Sequence, residues 1–163
     1  MIYYDFRYSG GYDERNEENR QHYTELQALA YELNIDSHVT FVRSFSDEQK
    51  VAFLKSALAL LYTPSNEHFG LVPIEAMYMK CPVIACNSGG PLETVKHEET
   101  GYLCPPTPDD FGAAMMRLME REDLREDIGD NGHQHVIDNF SFDSFASQLD
   151  KLVGWLDFRA VTI

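Results

Sequence analysis

At 163 residues, 44% of them apolar and 25% charged, the chain has the composition of one soluble globular domain spanning 1–163. A net charge of -14 argues against broad phosphate-backbone binding, and so against nucleic acid as a partner. No apolar run approaches the roughly 20 residues of a membrane span.

Tyrosines together with Asp5, Arg7 and Ser9 make residues 1–9 a poor buried strand, and charge there comes too early for a signal peptide. Leu26, Leu29, Ala30 and Leu33 repeat at i, i+3, i+4, i+7, which predicts an amphipathic helix within 17–34. HVTFV (38–42) reads as a short strand. Ser46 and Gln49 have capping-box spacing and open a helix carrying Val51 and Leu54. ALALLYT (57–63) is a continuous apolar run stopped by Pro64, which suits a parallel strand covered on both faces.

A helix over 72–80 follows, with Pro73 at its first position and Ile74, Met77 and Tyr78 on one face. CPVIAC (81–86) is the next buried strand, and GYLC (101–104) another after a Gly-Gly-Pro loop and a short turn. Thr107, Pro108 and Asp110 mark a helix start. Two further helices place Leu124, Ile128 and Val136, then Phe142, Phe145, Leu149, Leu152 and Leu156, facing inward. This alternation means βαβ units: an α/β fold with a Rossmann-like parallel sheet, helices on both faces and a helical C-terminal tail. Right-handed crossovers gather the strand carboxyl ends on one edge, where open α/β sheets bind ligands.

The stretch PSNEHFGLVPIEAM (64–77) falls on that edge. Gly70 permits close backbone approach, and the amides near Phe69, Gly70, Leu71 and Val72 surround a helix N-terminus suited to a phosphate. Glu75, placed in the first turn, can accept hydrogen bonds from a ribose diol; it can equally serve the helix dipole without a ligand. Glu67 can act on a ligand or merely accept hydrogen bonds from loop amides. Gly89-Gly90 reads either as a second backbone nest or as a tight turn. Cys81, Cys86 and Cys104 fit no zinc or disulfide spacing and read as small hydrophobes in a reducing compartment. His133 and His135, two apart, face different sides of a helix and do not suggest a metal site. The chain has no GxGxxG, Walker A or GxSxG frame.

Glu67-x7-Glu75 within PSNEHFGLVPIEAM, followed by PVIA and Gly-Gly, resembles the nucleotide-sugar-binding half of the family 4 retaining glycosyltransferases of GT-B fold. GGYDERNEENRQHY, VTFVRSFSDEQK and YTPSNEHFG resemble, more narrowly, the α-1,3/1,6-mannosyltransferases of dolichol-linked glycan assembly. The resemblance implies a GDP-mannose donor, a dolichyl-diphosphate oligosaccharide acceptor, the cytosolic face of the endoplasmic reticulum and no metal cofactor. By motif it implies that Glu75 binds the donor ribose and that the amides of Phe69, Gly70, Leu71 and Val72 hold the diphosphate. It places Glu67, as the catalytic candidate, beside the mannose, and Val42 and Arg43 near the guanine. Gly89 and Gly90 join the donor-binding set.

The sequence departs from the pattern in two ways. By the resemblance, the acceptor-binding N-terminal half is expected to be absent from these residues, and MIYYDFRYS stands where the family carries the Arg and Lys that grip the diphosphate. The expectation is therefore a donor-binding domain inactive as a lone chain. Its competitors are a non-catalytic nucleotide-sugar-binding module and a half-enzyme using another donor such as UDP-glucose.

Overall fold

The computed structural model describes residues 5–10 and 12–154. These form two compact units divided between Lys50 and Val51.

In the first unit, β1 (Phe6–Gly10) and β2 (Val39–Arg43) pair in parallel, in register from Phe6↔Val39 to Gly10↔Arg43. The crossover is α1 (Glu17–Glu32), capped by the Asn16 side chain, which accepts the Glu18 N–H at 2.9 Å. Sequence polarity argued against a first strand, yet β1 forms. Pairing uses backbone groups alone, and the polarity shows instead in exposure, with Phe6 and Tyr8 both accessible. The expected stripe of α1 is also only partly covered, since Ala30 is buried while Leu29 and Leu33 are exposed. Within this unit a two-stranded sheet offers too little surface to cover a 16-residue helix.

The helix α2 (Asp47–Ser56) begins with a complete capping box: Gln49 N–H donates to Ser46 Oγ, and Ser46 N–H to Gln49 Oε1.

The second unit is built on the parallel sheet β3 (Leu60–Tyr62), β4 (Val83–Cys86) and β5 (Gly101–Cys104), in that spatial order. All four residues of β4 are buried. Alternation sends Val83 and Ala85 into one cluster with Ala76, Met77 and Val136, and Ile84 into the other with Ala114, Leu118 and Ile128. Both faces are therefore covered by helices: α3 (Leu71–Tyr78), α5 (Pro108–Glu120) and α6 (Glu122–Phe140). Thr107 caps α5 by accepting the Asp110 N–H at 3.2 Å.

Two strands are shorter than the apolar runs suggest. At β4 the Cys81 N–H is still bonded to the Ala76 carbonyl, which keeps it in the turn closing α3. The turn after Gly-Gly-Pro is a single helical turn, α4 (Pro91–Thr94). The last helix, α7 (Phe142–Gly154), corrects its sequence reading. Phe142 is 80% exposed and Leu152 70%, with Phe145 and Leu149 also accessible. Period alone makes an apolar stripe, but burial needs a facing surface. Leu156 lies outside the described residues. Among the described residues, no helix is long and apolar enough to cross a membrane.

Candidate functional site

The loop from β3 to α3, together with α3 itself, carries most of the candidate residues. Gly70 is the N-cap of α3, with φ 77° and ψ 74°, a left-handed conformation glycine adopts without strain. The helix therefore begins at Leu71, and Pro73 is its third residue rather than its first. A proline is tolerated there for the reason expected at the first position: that N–H has no partner inside the helix. The amides of Gly70, Leu71 and Val72 remain as the donors at the N-terminus.

The shift of two positions also moves Glu75. It is the fifth residue of α3, half-buried, and the first turn holds no acidic residue. Helix-dipole stabilisation fades beyond the first turn, so it does not account for a carboxylate at this place.

Glu67 is held at several points. His68 N–H donates to Oε1 at 2.8 Å and the Tyr62 hydroxyl to Oε2 at 3.2 Å. The His68 N–H first, then the Tyr62 hydroxyl and then the Phe69 N–H hold its carboxyl below the usual glutamate range. Burial, and next the Glu67 charge, push the Tyr62 phenol up, so it stays protonated as the donor. The loop amides of His68 and Phe69 are thus directed at Glu67 itself.

Gly89 and Gly90 lie against this loop. A Cβ on Gly89 would stand 2.3 Å from the Glu67 carbonyl oxygen, and one on Gly90 2.3 Å from the Phe69 carbonyl. Gly89 has φ 60° and Gly90 is right-handed, a pairing that forms a nest. The Gly90 N–H nevertheless goes to the Glu67 carbonyl at 2.8 Å. The glycine pair therefore holds the Glu67 loop. Ser88 Oγ donates to the Ser65 carbonyl at 2.6 Å and Cys86 Sγ to the Thr63 carbonyl at 3.2 Å, adding two more ties.

In the first unit, Val42 and Arg43 end β2. Arg43 lies 5.3 Å from the Tyr12 ring centre and 5.2 Å from that of Tyr23. With Tyr8, Phe41 and Val42 these residues line a cavity of about 110 Å³. Arg15, Arg20, Arg117, Arg121 and Arg125 each meet a carboxylate; among the described residues Arg43 meets rings instead.

His133 and His135 have separate partners. His133 Nδ1 meets the Tyr78 carbonyl at 2.6 Å, whereas His135 meets Asn139 and packs on Phe140. Cys81, Cys86 and Cys104 are buried free thiols whose pKa values burial raises, that of Cys81 to about 12. Sequence reasoning missed Tyr62 and Ser88. A lone hydroxyl at the end of an apolar strand was the available signal for Tyr62.

The model of the family "Glycosyl transferases group 1" matches residues 11–135. The chain is 52% identical over 145 residues to the α-1,3/1,6-mannosyltransferase ALG2 of Mus musculus, covering 89% of this chain and 35% of that protein. Identity to the Homo sapiens protein of the same name is 50% over 145 residues, with the same coverage. The chain thus spans about a third of the length of the curated relatives it matches. Among solved structures, a sucrose-phosphate synthase from Thermosynechococcus elongatus superposes with a TM-score of 0.79 at 32% identity, over 92% of this chain and 38% of that one. The C-terminal domain of a group 1 glycosyl transferase from Francisella tularensis gives 0.73 at 19% identity, over 85% of this chain and 87% of that one. The latter likeness speaks for the fold alone.

Proposed function

The chain belongs to the group 1 glycosyl transferases, and from that premise we propose that it is the donor-binding half of a retaining mannosyltransferase. It takes GDP-mannose and serves transfer of mannose to a dolichyl-diphosphate-linked oligosaccharide at the cytosolic face of the endoplasmic reticulum. Identity of 52% to an α-1,3/1,6-mannosyltransferase supports the substrate class. Recognition of the acceptor we assign to the part of the relatives, about two thirds of their length, that these residues do not match.

The observation that carries the reading is the carboxylate Glu75 set beyond the first turn of a helix whose N-cap is a left-handed glycine. The Gly70, Leu71 and Val72 amides and the helix dipole stabilise a departing diphosphate, the largest charge change in the reaction. Glu75 accepts hydrogen bonds from the ribose diol. Glu67, kept ionised, accepts one from a hydroxyl of the transferred sugar. To Val42 and Arg43, in the first unit, we assign contact with the base as a separate proposal. The acceptor attacks from the leaving-group face, which retains the α configuration, and no protein nucleophile is assigned.

Calorimetric titration with GDP, GDP-mannose and UDP-glucose tests this. Preference for the guanine nucleotides is the expected result, with binding of all three weakened in Glu75→Ala because each carries the ribose diol. Equal or tighter binding of UDP-glucose would replace the donor, and no binding to any of them would overturn the reading.

A further inference from the structure

Tyr62 ends β3, and its ring is half-buried against the cluster of Leu54, Met77, Val83 and Ala85. The core therefore fixes the ring, while the hydroxyl emerges at the carboxyl edge of the sheet, 3.2 Å from Glu67 Oε2. The other oxygen accepts the His68 N–H at 2.8 Å. At the backbone, the Glu67 carbonyl accepts the Gly90 N–H at 2.8 Å. Loop glutamates ordinarily sample many rotamers. Here both carboxylate oxygens and the backbone behind them are fixed.

We propose that Tyr62 is a positioning residue for the Glu67 carboxylate, setting it for contact with the transferred sugar of the donor. The inference rests on the donor-site reading above and adds a residue to it. Tyr62 touches Glu67 and acts through it. A purely structural Tyr62 would hold the loop through its ring; the positioning role belongs to the hydroxyl alone.

Tyr62→Phe separates the two, because it keeps the packed ring and removes one oxygen. Two readouts are needed: the titration of the Glu67 side-chain carboxyl by carbon NMR in the ligand-free chain, and calorimetry with GDP and with GDP-mannose. In Tyr62→Phe the Glu67 midpoint moves up, GDP affinity stays within about twofold, and GDP-mannose affinity falls about tenfold, as loss of a hydrogen bond to a charged group predicts. Glu67→Gln shows the same split between the two ligands. An unmoved Glu67 midpoint, or equal loss for GDP and GDP-mannose, overturns the proposal. If the midpoint moves but the unaltered chain binds neither nucleotide, the donor reading fails while the hold of Tyr62 on Glu67 stands.

Discussion

The Gly90 N–H donates to the Glu67 carbonyl at 2.8 Å, and it does so in the register that pairs β3 with β4. Leu60 faces Val83 and Tyr62 faces Ala85; beyond the strand ends Thr63 meets Cys86, Ser65 meets Ser88 and Glu67 meets Gly90. Each pair is separated by the same 23 positions. The two loops thus continue the sheet, through side chains first and a backbone bond last. This makes the candidate site an extension of a rigid element rather than a free loop.

Gly90 has no room for a side chain, since a Cβ would approach the Phe69 carbonyl to 2.3 Å. Gly90→Ala must therefore separate the two loops, at a cost of about 1–3 kcal/mol, as for other overpacked sites. Gly112, inside α5, is the matched control, because a Cβ there meets nothing within 4 Å. Gly112→Ala raises stability by about 0.5–1 kcal/mol through helix propensity. Urea unfolding midpoints of the two variants should move in opposite directions.

Glu75 is fixed by α3, whose fifth position it occupies. If it accepts hydrogen bonds from a ribose diol, Glu75→Ala lowers GDP affinity about 10- to 100-fold, the range for hydrogen bonds to a charged group. A ribose contact predicts a second result: the corresponding 2′-deoxy nucleotide binds the unaltered chain more weakly and loses little further affinity in Glu75→Ala. Independent, additive losses would place the carboxylate elsewhere on the ligand.

Most of the second unit was legible because its strands are buried on both faces and read as unbroken apolar runs. Caps at Ser46 and Thr107 were legible for a local reason, since each needs only a hydroxyl at fixed spacing from its helix. Three features were not. The backbone pairing that makes β1 leaves no trace in side-chain polarity. The exposure of Phe142 and Leu152 depends on what faces α7, which period does not report. The Tyr62 to Glu67 contact is a meeting of side chains across a turn, and neither residue type announces the other.

Acid should weaken the site in a defined direction. Hydrogen bonds from His68, Tyr62 and Phe69 hold Glu67 below its ordinary value, so the folded chain binds this proton less readily than the unfolded chain. The contribution is complete above about pH 4.3, where the unfolded glutamate ionises, and is lost as the pH falls through the lower folded value. Urea midpoints followed from about pH 6 downward should show the unaltered chain converging on Glu67→Gln in acid. Parallel curves would show that these hydrogen bonds do not favour the charged form.

Arg43 should matter through its shape as well as its charge. Its guanidinium rests near the rings of Tyr12 and Tyr23, at 5.3 and 5.2 Å, beside a cavity of about 110 Å³. A planar fork can donate two parallel hydrogen bonds to adjacent acceptors such as O6 and N7 of guanine; a lysine ammonium offers one compact charge and stacks poorly. Arg43→Lys therefore preserves charge but loses about 1 kcal/mol of ring contact together with the paired donors. GDP affinity should fall about tenfold, while the weaker affinity for UDP changes by less than about twofold, because uracil lacks the paired acceptors. Equal losses for GDP and UDP would reduce Arg43 to a general electrostatic contribution and remove base selection from the first unit.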